Sequence, residues 1–202
     1  MGTSEIAVLD YGIGNLRSVV RGLEAAGARP KITNDPEIIR SADGLLLPGV
    51  GAFAEGMKKL APLIGLVKEE SAKKPLLGIC LGMQMLLEES EEHGSHKGLG
   101  FVPGMVRMFP KQPGMKIPQM GWNTISPSAH PLFEGIPDGT YVYFVHSYYA
   151  DTTPEFTIAK TDYIVSYASS VSAGNVMGVQ FHPEKSGEAG VRILENFVRM
   201  TQ

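Results

Sequence analysis

Leu76-Leu77-Gly78-Ile79-Cys80-Leu81-Gly82 is the stretch that decides the fold. A short apolar run leads into the only cysteine of the chain, which has a glycine two positions away on either side. This pattern is typical of the elbow at which a buried strand turns sharply into a helix and presents a nucleophile. Small neighbours are needed because strand and helix approach closely and the central residue adopts a strained backbone conformation. The sequence therefore predicts that Cys80 is a catalytic nucleophile. The alternative is a small buried apolar residue, the usual role of a lone cysteine.

The position of Cys80 also suits nucleophilic chemistry. A helix N-terminus favours the thiolate form of a cysteine over the neutral thiol. The backbone amide of Leu81 comes directly after the nucleophile, where it can stabilise a developing oxyanion. We therefore expect Leu81 to be one donor of an oxyanion hole.

The segments around the elbow alternate between short apolar runs and amphipathic stretches. The apolar runs predict buried strands at residues 6–9, 30–33, 44–47 and 76–79. Helices are predicted at residues 16–26, directly after Asp35-Pro36, and at residues 52–60 and 81–91. Buried strands that alternate with helices indicate an α/β fold, an open and mostly parallel sheet with helices on both faces.

The second half of the chain has a different character. Proline and glycine are frequent between residues 103 and 137, and turn-like segments separate the next apolar runs. Strands are predicted at residues 141–145, 156–161, 164–169 and 176–181, which favours an antiparallel extension of the sheet. An amphipathic helix is predicted at residues 188–200. With neither a repeat nor a low-complexity tract, residues 1–202 are expected to form a single domain.

The composition bears on partners and location. The formal net charge of −3 gives no reason to expect nucleic acid or an anionic membrane as a partner. No apolar run approaches the roughly 20 residues that span a bilayer. The first predicted strand begins close to the N-terminus with no basic segment before it, so we expect no signal peptide. One cysteine cannot form an internal disulfide, and a reducing cytoplasm is the expected location.

We predict that the protein uses no metal or other cofactor. The histidines at 93, 96 and 130 lie in polar loop-like segments, in no pair with the spacing of a metal site, and a single cysteine cannot supply a zinc cluster. The Gly12-Ile13-Gly14 segment lacks the third glycine of a dinucleotide loop, because Arg17 occupies that position. Binding of NAD is therefore rejected.

His182-Pro183-Glu184 follows directly on the predicted strand at residues 176–181. Residues two apart in an extended chain project to the same side, so the imidazole and the carboxylate can lie side by side. Pro183 restricts its own backbone and that of His182. Glu184 can then orient the ring while its other nitrogen serves the thiol, as in a catalytic triad. By itself the tripeptide could equally be a strand end that turns into a loop.

At this point the motifs resemble a known family. Gly78-Ile79-Cys80-Leu81-Gly82-Met83-Gln84 together with His182-Pro183-Glu184 resembles the class I, or triad, glutamine amidotransferases. That resemblance implies a flavodoxin-like fold and a Cys-His-Glu triad formed by Cys80, His182 and Glu184. It runs from about residue 6 to residue 198.

Three further stretches resemble one branch of this family, the glutaminase subunits of imidazole glycerol phosphate synthase. They are Asp10-Tyr11-Gly12-Ile13-Gly14-Asn15, Pro48-Gly49-Val50-Gly51 and Pro118-Gln119-Met120-Gly121-Trp122-Asn123. The branch implies L-glutamine as substrate and a cyclase subunit, a (β/α)₈ barrel, as partner in a heterodimer. The cyclase would use the ammonia to convert PRFAR to imidazole glycerol phosphate and AICAR in histidine biosynthesis, and its substrate would raise the glutaminase activity.

The resemblance also implies further site residues. Pro48-Gly49-Val50-Gly51 ends a predicted parallel strand at the same sheet edge as the elbow, so Gly49, Val50 and Gly51 are expected to complete the oxyanion hole. Four residues are expected to bind the substrate, namely Gln84 and the segment His146, Ser147 and Tyr148. Five residues are expected at the partner interface, namely Pro118, Met120, Trp122, Asn123 and Lys185. A tryptophan is by default a core residue, and an exposed glutamine or lysine often has no specific role.

Two other functions remain as alternatives. A different cysteine hydrolase on the same fold, such as a peptidase, generally takes its histidine from close after the elbow. Here Leu81, Gly82, Met83 and Gln84 follow the cysteine, and the histidine candidate lies far along the chain. A non-catalytic module that only binds glutamine would not need the intact Cys80, His182 and Glu184.

Overall fold

The structure, a computed structural model, describes residues 3–202. The strands are β1 (Glu5–Leu9), β2 (Arg29–Thr33), β3 (Gly44–Leu47), β4 (Leu76–Ile79), β5 (Leu87–Ser90), β6 (His96–Lys97), β7 (Val102–Met108), β8 (Gln119–Pro127), β9 (Thr140–His146), β10 (Tyr148–Asp151), β11 (Thr157–Asp162), β12 (Ser166–Ala173) and β13 (Val176–Val179). The helices are α1 (Leu16–Ala25), α2 (Pro36–Ser41), α3 (Phe53–Leu60), α4 (Ile64–Ser71), α5 (Leu81–Gln84) and α6 (Gly187–Met200).

Five parallel strands form the centre of the fold, in the order β2-β1-β3-β4-β13. Strands β3, β4 and β13 are buried along their whole length, which explains why their sequences are continuous apolar runs rather than alternating ones. The last strand of the chain, β13, lies directly beside β4. The carboxyl end of β4, which leads to Cys80, therefore has neighbours from both halves of the sequence.

Helices cover both faces of this parallel centre. On one face, α1 and α6 pack together and bury residues such as Leu23, Leu194 and Phe197 against the sheet. On the other face, α2, α3 and α4 bury Ile39, Phe53 and Val67. The layered arrangement confirms the predicted α/β fold class.

The antiparallel extension begins at β12, which pairs antiparallel with β13. The sheet continues through β10 and β7 to β5 and β6, while β11, β8 and β9 branch from β12. Strands β8 and β9 pair over seven residues, from Gln119↔His146 to Ile125↔Thr140. This confirms the predicted antiparallel extension for the strands near residues 141–145, 156–161 and 164–169. The strand predicted at residues 176–181 is an exception, because β13 pairs parallel with β4 in the centre of the sheet.

The predicted helix at residues 81–91 is wrong beyond its first turn. Helix α5 ends at Gln84, and the chain continues as β5, which pairs with β6 and β7. The carbonyl groups of Leu86 and Leu87 accept hydrogen bonds from Phe101 and Gly100, respectively. Tertiary pairing to a glycine-rich segment therefore overrides the local helical pattern. Helix α4 and strands β6, β7, β8 and β10 were not predicted. Proline, glycine or polar residues interrupt the apolar periodicity in α4, β7 and β8, and β6 and β10 are only two and four residues long.

Within residues 3–202, no helix combines the length and the apolar character needed to cross a membrane. The longest, α6, has 14 residues and one buried face.

Candidate active site

Cys80 lies at the corner between β4 and α5 with a positive φ of 54°. Such a conformation is uncommon for a residue with a side chain and marks local strain. The flanking glycines are required by space, because a Cβ on Gly82 would lie 1.9 Å from the carbonyl oxygen of Leu47. A Cβ on Gly78 would lie 2.8 Å from backbone atoms of Gly82. The elbow predicted from the sequence is therefore present, with a helix of only four residues after it.

His182 is held near this corner by the strand beside β4. Residue Val179 of β13 pairs with Ile79 of β4, and the amide of Cys80 donates to the carbonyl of Val179. The amide of His182 donates to the carbonyl of Tyr143 at 2.9 Å. The Ser186 hydroxyl donates to the His182 carbonyl at 2.7 Å. The backbone of His182 is therefore fixed on both sides.

The imidazole of His182 donates from Nδ1 to Oε1 of Glu184 at 2.8 Å, and the two side chains are 2% and 1% exposed. Because Nδ1 is engaged by Glu184, Nε2 is the atom left to interact with the Cys80 thiol. Nε2 is buried and has no hydrogen bond of normal geometry to residues 3–202. Burial by itself would lower the pKa of His182, but the neighbouring Cys80 and Glu184 outweigh it and raise that pKa to about 9. The site therefore favours the imidazolium form of His182 at neutral pH.

Cys80 and His182 open onto one cavity of about 260 Å³. Its lining includes most of the residues predicted for substrate and oxyanion binding, namely Val50, Gly51, Leu81, Gln84, His146, Ser147 and Tyr148, together with Val145 and Glu92. Glu184 lies behind the His182 ring rather than in the cavity wall. The sequence motifs of both halves of the chain thus meet at one place.

Gly49 is the predicted oxyanion residue that does not line the cavity. A Cβ at this position would lie 2.7 Å from the amide nitrogen of Gly82 and 2.8 Å from Cβ of Leu81, so Gly49 packs against the elbow. The hydroxyl of Tyr11 donates to the carbonyl of Pro48, just before this glycine. Burial, and then the nearby Cys80, raise the pKa of Tyr11, which therefore stays a neutral donor. Tyr11 thus anchors the segment that leads to Val50, a contact that its motif alone did not reveal.

Most polar groups of the predicted substrate residues Gln84 and His146 form hydrogen bonds within the protein. Nε2 of Gln84 donates to the carbonyl of Tyr148 and to Oε1 of Gln180, both at 3.0 Å. Nδ1 of His146 lies 2.8 Å from the same Tyr148 carbonyl, and its Nε2 faces Gln119 and Tyr167. Burial lowers the pKa of His146 to about 4, so its ring is neutral. His146 therefore shapes the backbone of the cavity wall.

Glu92 is a cavity residue that sequence reasoning missed, because it lies in an acidic segment that resembles a solvated loop. Its Oε2 accepts from the amide of Phe53 at 2.6 Å and so caps the start of α3. The same side chain lines the cavity beside Tyr148 and Gly51. Its partner lies 39 residues away, so no local pattern could have identified it.

The residues predicted for a partner interface lie on or near the β8–β9 pair. Met120 and Trp122 are 66% and 57% exposed, and Tyr141 on β9 is also exposed. The Trp122 ring contacts Tyr143 edge-on, and Nζ of Lys185 lies 5.9 Å from the centre of the same Tyr143 ring. Pro118 is exposed, whereas the Asn123 amide donates internally to the carbonyl of Asp162. Trp122 is therefore not a core residue.

Among residues 3–202, no three histidine, cysteine, aspartate or glutamate side chains are grouped so that they could hold a metal ion. The polar groups around the cavity are suited to nucleophilic chemistry with an acid–base partner.

Known proteins similar to this chain point to the same chemistry. The glutamine amidotransferase class-I family matches residues 7–200. The imidazole glycerol phosphate synthase subunit HisH of Methanosarcina mazei is 57% identical over 96% of this chain and 98% of its own length. The HisH subunit of Archaeoglobus fulgidus is 48% identical over 98% of this chain and 99% of its own length. A solved glutamine amidotransferase, 18% identical, covers 97% of this chain and 98% of its own with a TM-score of 0.75, which shows the shared fold. The chain therefore belongs to the class-I glutamine amidotransferase family, in the branch formed by the HisH subunits of imidazole glycerol phosphate synthase.

Proposed function

We propose that this protein is the glutaminase subunit of an imidazole glycerol phosphate synthase and hydrolyses L-glutamine to glutamate and ammonia. The observation that carries the proposal is that Cys80 and His182 line one cavity while Glu184 holds the His182 ring by a hydrogen bond from behind. We further propose that residues 1–202 form a single amidotransferase domain. A cytoplasmic location suits the lone thiol, which stays reduced there.

The reaction begins when the Cys80 thiolate attacks the side-chain amide carbon of glutamine. The amide of Leu81 and the backbone around Val50 stabilise the oxyanion, and the His182 imidazolium gives its proton to the leaving nitrogen. Ammonia departs and leaves a γ-glutamyl thioester on Cys80. The neutral His182 then takes a proton from water, which attacks the thioester and releases glutamate. Glu184 orients the ring and stabilises its charge throughout.

The pH dependence follows from the raised pKa of His182. Acylation needs the imidazolium, so the rate is expected to fall as the pH rises through about 9. Replacing Glu184 with glutamine keeps an acceptor for Nδ1 but removes a negative charge, which lowers the His182 pKa. The alkaline loss of activity should then move down by about one pH unit or more. Steady-state rates across the pH range measure this shift.

Glu188→Gln is the matched control, because it removes an exposed carboxylate near the start of α6. It should leave the pH profile unchanged. An unshifted profile in Glu184→Gln would contradict the assignment of Glu184 as the group that stabilises the charged ring.

Glu92 is proposed to bind the α-ammonium group of glutamine, because it is a carboxylate in the cavity wall near the nucleophile. Glu92→Gln can keep the cap on α3 through its side-chain oxygen but loses the charge. We expect the KM for glutamine to rise about tenfold or more, the usual effect of losing a charged hydrogen bond, with little change in kcat. Glu91→Gln removes an exposed neighbouring carboxylate outside the cavity. Equal KM values for the two variants would contradict the role of Glu92.

The β8–β9 face is proposed to dock the cyclase subunit, a (β/α)₈ barrel, in a heterodimer. Met120, Trp122 and Tyr141 expose large apolar surface there, and Lys185 lies beside Tyr143 at the same face. Docking would send ammonia into the barrel, where it joins PRFAR to give imidazole glycerol phosphate and AICAR. Ammonia released into water would be mostly protonated and unreactive, which favours such a transfer.

Mixing the protein with its cognate cyclase tests the proposal. Glutamate release is expected to be slow alone and to rise when the cyclase and its nucleotide substrate are added. Full activity that does not respond to the cyclase would count against a regulated synthase subunit. If Cys80 does not react with glutamine and no glutamate is released under any condition, the result would favour a non-catalytic module that only binds glutamine.

Trp122→Ala is expected to weaken binding of the cyclase about tenfold or more, as for a buried aromatic anchor at an interface. Ile32→Ala is the control, because Ile32 is an exposed apolar residue on β2 at the far edge of the sheet. Titration calorimetry measures both. Identical affinities would place the interface elsewhere.

A further inference from the structure

Gln180 is a completely buried amide whose side chain reaches the nucleophile. It follows β13, and the in-register pairing of Val179 with Ile79 puts it beside Cys80. Its Nε2 lies 3.7 Å from the Cys80 sulfur, within the range of an N–H donor to sulfur. Gln180 has no role in the triad proposed above.

The orientation of the Gln180 amide follows from the chemistry of its neighbours. The carbonyl of Tyr148 can only accept hydrogen bonds, so Gln84 must turn its NH₂ group towards it. The second N–H of Gln84 then points to Gln180, whose Oε1 must accept it, with 3.0 Å between Nε2 and Oε1. Consequently Gln180 has only N–H groups left for the sulfur. The Tyr148 carbonyl therefore fixes the orientation of the Gln84 amide, and the Gln84 amide fixes that of Gln180, which donates to the Cys80 sulfur.

The carbonyl of Tyr148, where this series of hydrogen bonds begins, is itself held in place. Nδ1 of His146 lies 2.8 Å from the Tyr148 carbonyl and must carry its proton, since a carbonyl cannot donate. The neutral, buried ring is packed between Phe109, Phe144 and Tyr167. The Tyr148 carbonyl, with two donors and a packed support, is thus a rigid anchor for Gln84.

We propose that Gln180 is a positioning residue that donates an N–H to the Cys80 sulfur, favours its thiolate form and holds it towards the cavity. The inference rests on the proposed role of Cys80 as nucleophile. An N–H aimed at sulfur stabilises the anion more than the neutral thiol, because a hydrogen bond to a charged acceptor is stronger. Gln84 acts on the sulfur indirectly, by locking the Gln180 amide in the donating orientation.

The test is the pH dependence of Cys80 alkylation by iodoacetamide in the isolated protein. Cys80 is the only cysteine, so the rate reports on a single thiol. Gln180→Met keeps the length of the side chain and removes the donor. We expect the half-maximal alkylation rate to move to higher pH, with about a tenfold lower rate at neutral pH. Gln84→Met leaves Gln180 present but unanchored, and should shift the profile in the same direction by less.

Asn196→Leu is the matched control, because Asn196 is a buried amide in α6 that donates to the carbonyls of Leu132 and Glu134, away from the cavity. It should lower the thermal midpoint and leave the alkylation profile unchanged. Profiles of Gln180→Met and Gln84→Met that superimpose on that of the unmodified protein would overturn the inference, even if glutamine hydrolysis through Cys80 is intact. If Gln180→Met does not fold, the profile of Gln84→Met decides. Loss of the proposed function itself would be visible separately, as an unmodified protein that releases no glutamate with its cyclase.

Discussion

Cys80→Ser is expected to reduce glutamine hydrolysis by at least about a thousandfold while leaving the fold intact. The hydroxyl replaces the thiol at nearly the same volume, but it does not ionise in the range where His182 can assist it. The His182–Glu184 hydrogen bond does not involve the changed atom, so the base and its orienter remain in place. Glutamate release in the presence of the cyclase measures the loss.

The cyclase supplies the control for this variant. A complex with Cys80→Ser should still form imidazole glycerol phosphate when ammonium salts are added, because only the source of ammonia has been removed. Retention of glutamine hydrolysis by the variant would show that another residue is the nucleophile. Loss of the ammonium-dependent reaction would show that the substitution disturbs the complex rather than the chemistry.

Gly82→Ala is expected to destabilise the protein by at least about 3 kcal/mol and to abolish activity. The added Cβ would lie 1.9 Å from the carbonyl oxygen of Leu47, a backbone atom of the neighbouring strand that cannot move without distorting the sheet. Relief would require the first turn of α5 to move away from β3, which displaces Cys80 and the amide of Leu81. Urea unfolding and glutaminase assays measure the two effects.

Gly65→Ala is the matched control for Gly82→Ala. Gly65 lies in α4, and a Cβ there would meet no heavy atom within 4 Å. The substitution is expected to be neutral or to stabilise the protein by up to about 1 kcal/mol, since alanine restricts the unfolded chain. Similar effects of the two substitutions would contradict the close packing at the elbow.

The features predicted well from sequence are those whose cause is local. The strand at residues 44–47 and the turn at Cys80 each depend on neighbours in sequence, namely a continuous apolar run and two flanking glycines. The helix at residues 188–200 was predicted from its single apolar face. The meeting of Cys80 with His182 was predicted from the triad pattern and the family resemblance. Its structural cause, the parallel pairing of β13 with β4, was not predicted, because residues 176–181 were expected in the antiparallel extension.

The features missed depend on partners that are distant in sequence. Gln180 contacts Cys80 across 100 residues, and Glu92 caps α3 across 39 residues. Gln180 lies within the predicted strand at residues 176–181, but no local signal links its amide to Cys80. The Glu92 carboxylate has no local signal that distinguishes it from a surface residue. The end of α5 at Gln84 likewise depends on hydrogen bonds to residues 99–102, which compete with the helix only once the sheet has formed. Such features need the three-dimensional structure.

The adjacency of β13 to β4 has a consequence for synthesis on the ribosome. A growing polypeptide that has emerged only as far as the elbow has the Cys80 thiol without His182 beside it, because His182 follows far along the sequence and is placed by β13. On the proposed mechanism, translation must therefore have passed β13 and Glu184 before ammonia can be released. A chain that stops short of His182 would lack the proposed base and could not consume the cell's glutamine.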